Sequence, residues 1–243
     1  LAACAIFEVS RVLCKGLKET DNKPAGVLVY IAAVLSALLL AAVVFFGETA
    51  LAAGTVAGII LVVGAGLLSG ACDFKQYIYS IFAFLYPGLF FAYLFLIIQV
   101  EHQTARLFAL LANIAIVSAT DMFAYYTGML FGKTPLCPNI SKKKTIEGAA
   151  GGWLFGILAG FGVGLIGIKA GLPINIWHYV ILGLICGFFS QFGDLIASVV
   201  KRNAGIKDYA GILPGMGGIM DRLDGLIFCS PIVYYYFTVI LGF

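Results

Sequence analysis

Long apolar runs constrain this chain more than any other feature. Full-length runs fall near residues 25–47, 49–71, 80–100, 105–130, 146–168, 176–200 and 222–243, and a shorter one covers roughly residues 1–14. Crossing the hydrocarbon core of a bilayer takes about 20 helical residues, and each full run supplies that length. Only helices and closed barrels satisfy their own backbone in lipid. Barrel strands read as segments of about ten residues with alternating polarity, whereas these runs are unbroken and rich in Leu, Ala, Ile and Gly. The expected fold is therefore all-α: a polytopic transmembrane helical bundle with about seven full spans and a partial N-terminal one. Composition agrees. Charged residues make up 11% of the 243 residues, against about 25% in a soluble domain.

The cations divide unevenly between the two sides that these spans create. One side receives Arg11, Lys15, Lys18, Lys23, Lys75, Lys133, Lys142, Lys143, Lys144, Lys201, Arg202, Lys207 and Arg222; the other receives Arg106 and Lys169. The rule that basic loops stay inside makes the first side cytoplasmic. The loops 131–146 and 201–221 both fall there. The chain divides into N-terminal membrane helices, 1–104, and a C-terminal membrane region, 105–243, that carries both loops.

A net charge of +3 gives no basis for a nucleic-acid partner. The six cysteines form no CxxC pair and no zinc-ligand spacing, so they read as packing thiols. Leu1 lies inside an apolar stretch with no initiator Met before it, which leads us to expect further chain upstream. Gly148, Gly152, Gly156, Gly160 and Gly164 recur every four residues on one helix face. Such a face admits a close helix neighbour, either within the bundle or across a homodimer.

Charge is concentrated in two places. The stretch from Gln191 to Gly225 holds Asp194, Asp208, Asp221 and Asp224 together with Lys201, Arg202, Lys207 and Arg222. A carboxylate inside an apolar helix costs about 2.5–3.5 kcal/mol, so Asp194 needs a partner. Ser190, Asp194 and Ser198 share a helix face, and Lys201 lies one turn further on as the candidate cation. The alternative is a purely structural ion pair. Asp221 and Asp224 lie three apart at a helix start. They read as a hard-cation site for Mg²⁺ or as acids that complement the helix dipole. Pro214, Gly215, Met216, Gly217 and Gly218 precede them, a turn able to form an anion nest. The second concentration runs from Asp121 to Gly148. It places another intramembrane carboxylate, with Tyr125 one turn on, beside Lys133 and the run Lys142–Lys144. Such a loop suits a triphosphate, or it anchors the chain to anionic lipid.

At these residues the chain resembles the phosphatidate cytidylyltransferases (CDP-diacylglycerol synthases). The C-terminal signature of that family is matched by Ser198, Lys201, Arg202, Lys207, Asp208, Pro214, Gly217, Gly218, Asp221, Arg222 and Asp224. The upstream one is matched by Asp121, Ala124, Tyr125, Gly128, Gly132, Lys133, Ser141, Lys143, Lys144, Thr145, Glu147 and Gly148. Met216 stands where the family has His, Lys142 where it has Pro, and Ile146 where it has Trp.

The resemblance implies an integral-membrane nucleotidyltransferase of phospholipid biosynthesis. It would take CTP and phosphatidate, with Mg²⁺ as cofactor and its site facing the cytoplasm. Asp194, Lys201, Asp221 and Asp224 would be catalytic, with Asp194, Asp221 and Asp224 on the metal. Asp121, Lys133, Ser141, Lys143, Lys144, Thr145, Ser198, Arg202, Lys207, Asp208, Gly217, Gly218 and Arg222 would bind substrate. Asp194 and Asp221 are expected to share a cation, and Met216 to lie beside the polar cavity. Other readings are a CTP-dependent membrane enzyme acting on another lipid phosphate or a lipid alcohol, and an ion-coupled transporter.

Overall fold

A computed structural model describes residues 1–17, 25–70, 73–206, 208–209 and 218–243. Among them, seven helices are long and apolar enough to cross a membrane, from Gly26–Phe46 to Met220–Ile240. The expected spans correspond to these one for one, and the partial N-terminal run is the helix α1, Ala2–Leu17. The described residues form two compact units. One comprises Leu1–Leu96 with Val199–Leu223, the other Ile97–Ser198 with Asp224–Phe243.

The first unit is built on α1, α2 (Ala25–Phe46), α3 (Glu48–Leu68), α4 (Phe74–Phe84) and most of α5 (Phe90–Gln99). Gly47 separates α2 from α3 with φ 62, a conformation that glycine adopts without steric cost. Helix α4 starts six residues earlier than hydropathy suggests. The Asp73 side chain accepts from Lys75 N at 3.0 Å and caps it there. The polar first turn still enters the core, because Gln76 is buried.

Between α4 and α5 lies a π-helical turn, Leu85–Leu89, that contains Pro87. Proline has no N–H to offer the carbonyl four residues back, here that of Ala83. In lipid that gap must be closed by protein. Ser36 of α2 is brought to it: its one hydroxyl, 3.0 Å from Ala32 O of its own helix, also lies 3.1 Å from Phe84 O and 3.3 Å from Ala83 O. A Cβ at Gly88 would sit 2.9 Å from Ser36 Oγ, so the glycine is what lets α2 come this close.

The second unit contains α6 (Gln103–Phe131), a two-stranded antiparallel hairpin of β1 (Pro135–Cys137) and β2 (Ser141–Thr145), α7 (Ile146–Lys169), most of α8 (Ile176–Asn203) and most of α9 (Met220–Tyr235). The spacing of the apolar runs predicts only a loop over 131–146, and the hairpin forms within it. The glycine face of α7 packs inside this unit. A Cβ at Gly152 would meet Thr120 O and Ala124 of α6, and one at Gly160 would meet Tyr179 O of α8. The opposite face, with Leu154, Leu158, Phe161 and Leu165, is exposed and apolar, as lipid contact requires. Internal packing therefore accounts for the glycine repeat.

Candidate active site

Where α6, the hairpin, α7 and α8 converge, the second unit encloses a cavity of about 550 Å³. Helix α6 lines it with Asp121, Tyr125, Gly128 and Met129. The hairpin contributes Leu136, Ser141, Lys143, Lys144 and Thr145, and α7 and α8 add Ala149, Gln191 and Asp194. The cavity thus gathers residues of the upstream cluster with one aspartate of the C-terminal cluster.

Local chemistry holds the hairpin over this cavity. The Thr145 hydroxyl accepts from Gly148 N at 3.1 Å and caps α7. Glu147 reaches back to accept from Lys133 N and Thr134 N, each at 3.2 Å. Ile146 N donates to Thr134 O at 2.9 Å. Both ends of the loop are thereby fastened to the start of α7, and Lys144 of β2 is carried across to α8. There Lys144 Nζ meets Asp194 Oδ2 at 2.5 Å, with the side chains 28% and 36% exposed. Lys144, fifty residues away in sequence, is thus the cation that partners Asp194, where helix spacing had suggested Lys201. Ser190 turns back to its own helix, donating to Gly187 O at 3.3 Å. It adds nothing to a polar seam.

Two more carboxylates lie within electrostatic range of Asp194: Asp121 and Asp224. Asp224 is only 4% exposed. Its Oδ1 accepts from Gly225 N at 2.7 Å, while its Oδ2 is buried with no hydrogen-bond partner. Close helix packing puts it there. A Cβ at Gly193 would lie 2.7 Å from Asp224 O, and one at Gly225 would lie 3.1 Å from Val117. Bare glycine surfaces on α8 and α9 therefore set the depth of this carboxylate. Among the described residues, no three His, Cys, Asp or Glu side chains are grouped closely enough to hold a metal unaided. Any cation held by Asp194 and Asp224 would take the rest of its shell from water or substrate oxygens.

Apart from Ser198, the remaining described site residues of the C-terminal cluster belong to the first unit. Lys201 Nζ lies 2.5 Å from Asp221 Oδ1 and 5.4 Å from the Tyr209 ring centroid. The other Asp221 oxygen accepts from Tyr209 N and Gly218 N, both at 3.0 Å. Asp221 is thus already supplied with three donors. Arg202 bonds Ile206 O at 3.2 Å and, like Asp208 and Arg222, is exposed. Ser198 is half-buried on α8. Lys207, Gly217 and Met216 lie outside the described residues. Gln191, Met129 and Leu136 line the cavity and were not anticipated as site residues. Gln191 had a usable signal, since it precedes Asp194 by three on the same helix. Its amide donates to Ala149 O at 3.1 Å and ties α8 to α7 at the cavity wall.

A model of the cytidylyltransferase family matches residues 2–240. The chain belongs to the cytidylyltransferase family. Curated members similar to it include the phosphatidate cytidylyltransferase of Aquifex aeolicus (strain VF5), 38% identical over 162 residues, which is 67% of this chain and 58% of that protein. That of Bacillus subtilis (strain 168) is 35% identical over 169 residues, covering 70% and 61% of the two chains. That of Synechocystis sp. (strain ATCC 27184 / PCC 6803 / Kazusa) is 40% identical over 143 residues, covering 58% and 47%. The aligned part of this chain thus spans between 47% and 61% of the length of those relatives.

Proposed function

We propose that this chain transfers the cytidylyl group of CTP to phosphatidate, giving CDP-diacylglycerol and pyrophosphate. The observation that carries the reading is the cavity itself. Inside a bundle of membrane-spanning helices, Lys143, Lys144 and Ser141 stand opposite Asp121 and Asp194, with Tyr125, Met129 and Leu136 supplying apolar wall. That combination suits one substrate with an ionic head and fatty tails and another that is a triphosphate. In the reaction, an oxygen of the lipid phosphate forms a bond to the α-phosphorus of CTP. The bond from that phosphorus to the bridging oxygen breaks, and its electron pair leaves with pyrophosphate. No covalent intermediate on the protein is needed. Both reactants are anionic, so the chain's task is positioning and charge neutralisation.

Lys143, Lys144 and Ser141 would bind phosphate oxygens. Arg202, Arg222 and Lys201 are the basic side chains of the C-terminal motif. Lys133, Thr145, Ser198, Asp208 and Gly218 complete the substrate-binding set inferred from the family signature, together with Lys207 and Gly217. Mg²⁺ fits the donor chemistry, because Asp194 and Asp224 are hard oxygen ligands and Asp224 Oδ2 is buried without a partner. Bound there, it would neutralise phosphate charge. Asp221, the third expected ligand, would first have to exchange the donors it now holds.

Position-specific labels test the transfer. Purified protein with Mg²⁺ and phosphatidate should move label from [α-³²P]CTP into lipid and leave the label of [γ-³²P]CTP in water-soluble pyrophosphate. Label from the γ position in lipid would instead identify phosphorylation of a lipid alcohol and overturn the proposal. We further propose that the cavity faces the cytoplasm, supported by the distribution of Lys and Arg. In a cysteine-free background, Asn139→Cys should react with an impermeant thiol reagent only after right-side-out vesicles are permeabilised. Ala170→Cys should react in sealed ones. The reverse pattern would invert the orientation.

A further inference from the structure

Glu8 lies in the middle of α1 and is 2% exposed, far in sequence from either motif. Its two carboxylate oxygens are both committed: Oε1 accepts from Ile219 N at 3.1 Å and Oε2 from Met220 N at 2.9 Å. These are backbone donors at the start of α9, where the opening N–H groups of a helix have no partner within the helix. The local sequence cannot supply one, since neither Ile219 nor Met220 carries a capping oxygen. In an apolar bundle such donors must be satisfied by protein, and a carboxylate also complements the positive end of the helix.

The donors around this turn can be followed one by one. Gly218 N is taken by Asp221, Ile219 N and Met220 N by Glu8, and Arg222 N by Ile219 O. The carboxylate of Asp221 then holds Tyr209 N and the Lys201 ammonium. Glu8 fixes the backbone on which Asp221 stands, and Asp221 fixes Lys201.

We propose that Glu8 is a positioning residue: it clamps the first turn of α9 and so sets the Asp221–Lys201 pair for the reaction. Its catalytic consequence rests on the cytidylyl-transfer reading above; the clamp itself does not. Glutamine is the informative replacement. It keeps the volume of Glu8 but replaces one accepting oxygen with an NH₂ that confronts a backbone N–H.

Full-length Glu8→Gln should show faster deuterium uptake in a peptide spanning 218–223, with uptake across α7 unchanged. Its kcat should fall on the order of 10²-fold, the scale of a small misplacement of reacting groups. KM for CTP should stay within about twofold, on the same positioning ground. Glu8→Asp keeps both oxygens and should recover part of both losses. Unchanged uptake at 218–223 in a folded Glu8→Gln protein would overturn the clamp. Faster uptake with unchanged kcat would overturn the positioning role. If the wild-type protein forms no nucleotide-bearing lipid, the functional reading fails, and the exchange measurement still decides the clamp.

Discussion

Asp194→Asn should lower kcat with CTP and phosphatidate by about 10²–10³-fold, the usual cost of removing one preorganised electrostatic group. The purified protein should stay folded. Asparagine has the shape of aspartate, and the side chain is 36% exposed, so no deep cavity or clash is created. What changes is charge. Lys144, now 2.5 Å from the carboxylate, loses its counter-ion, and the cavity loses one of its hard oxygen donors. Because the pair is partly solvated, its loss should register only weakly in thermal stability. The measurement is Mg²⁺-dependent turnover beside a thermal midpoint in the same detergent. Activity equal to wild type would remove Asp194 from the site. A collapsed midpoint would show that its ion pair with Lys144 is chiefly structural.

The second large effect is one of sign along a single helix. In an ordinary helix, glycine to alanine stabilises by up to about 1 kcal/mol. At Gly162 of α7, an added Cβ meets nothing within 4 Å, and Gly162→Ala should be neutral or stabilising. Gly152→Ala should do the reverse. There the Cβ would lie 2.7 Å from Ala124 Cβ and 3.1 Å from Ala124 N, and closer still to Thr120 O. Most of those atoms are backbone and cannot rotate away, so α6 and α7 must separate. Overpacking of this kind costs about 1–3 kcal/mol. It should also reduce turnover, because α6 and α7 both line the cavity. Thermal midpoints of the two variants, measured side by side, check this. A Gly152→Ala protein as stable as Gly162→Ala would mean that the α6–α7 contact is looser than described.

The spans were legible because the requirement behind them is local. A helix that crosses lipid must be apolar along its own length, and the runs at 25–47 through 222–243 state that without reference to any neighbour. The motifs were legible for a related reason: charge is costly in such a chain, so Asp121, Asp194, Asp221, Asp224 and the lysines stand out wherever they occur. The glycine repeat likewise announced a close approach, though not which helices make it. Even the start of α4 misled, since Lys75 and Gln76 look like loop to a hydropathy scale while Asp73 caps a helix there.

Tertiary structure alone decided the partners. Helix periodicity places Lys201 near the face of Asp194, yet the hairpin brings Lys144 across fifty residues to take that carboxylate, and Lys201 goes to Asp221. Ser36 covers carbonyls beside Pro87, and Glu8 holds amides at Ile219 and Met220. Each of these bonds satisfies a group that lipid would leave bare. The need is visible in the sequence at Pro87 and at the uncapped start of α9. The supplier is whichever polar side chain the fold carries there, and pairing at that range depends on how the helices pack, which hydropathy does not encode.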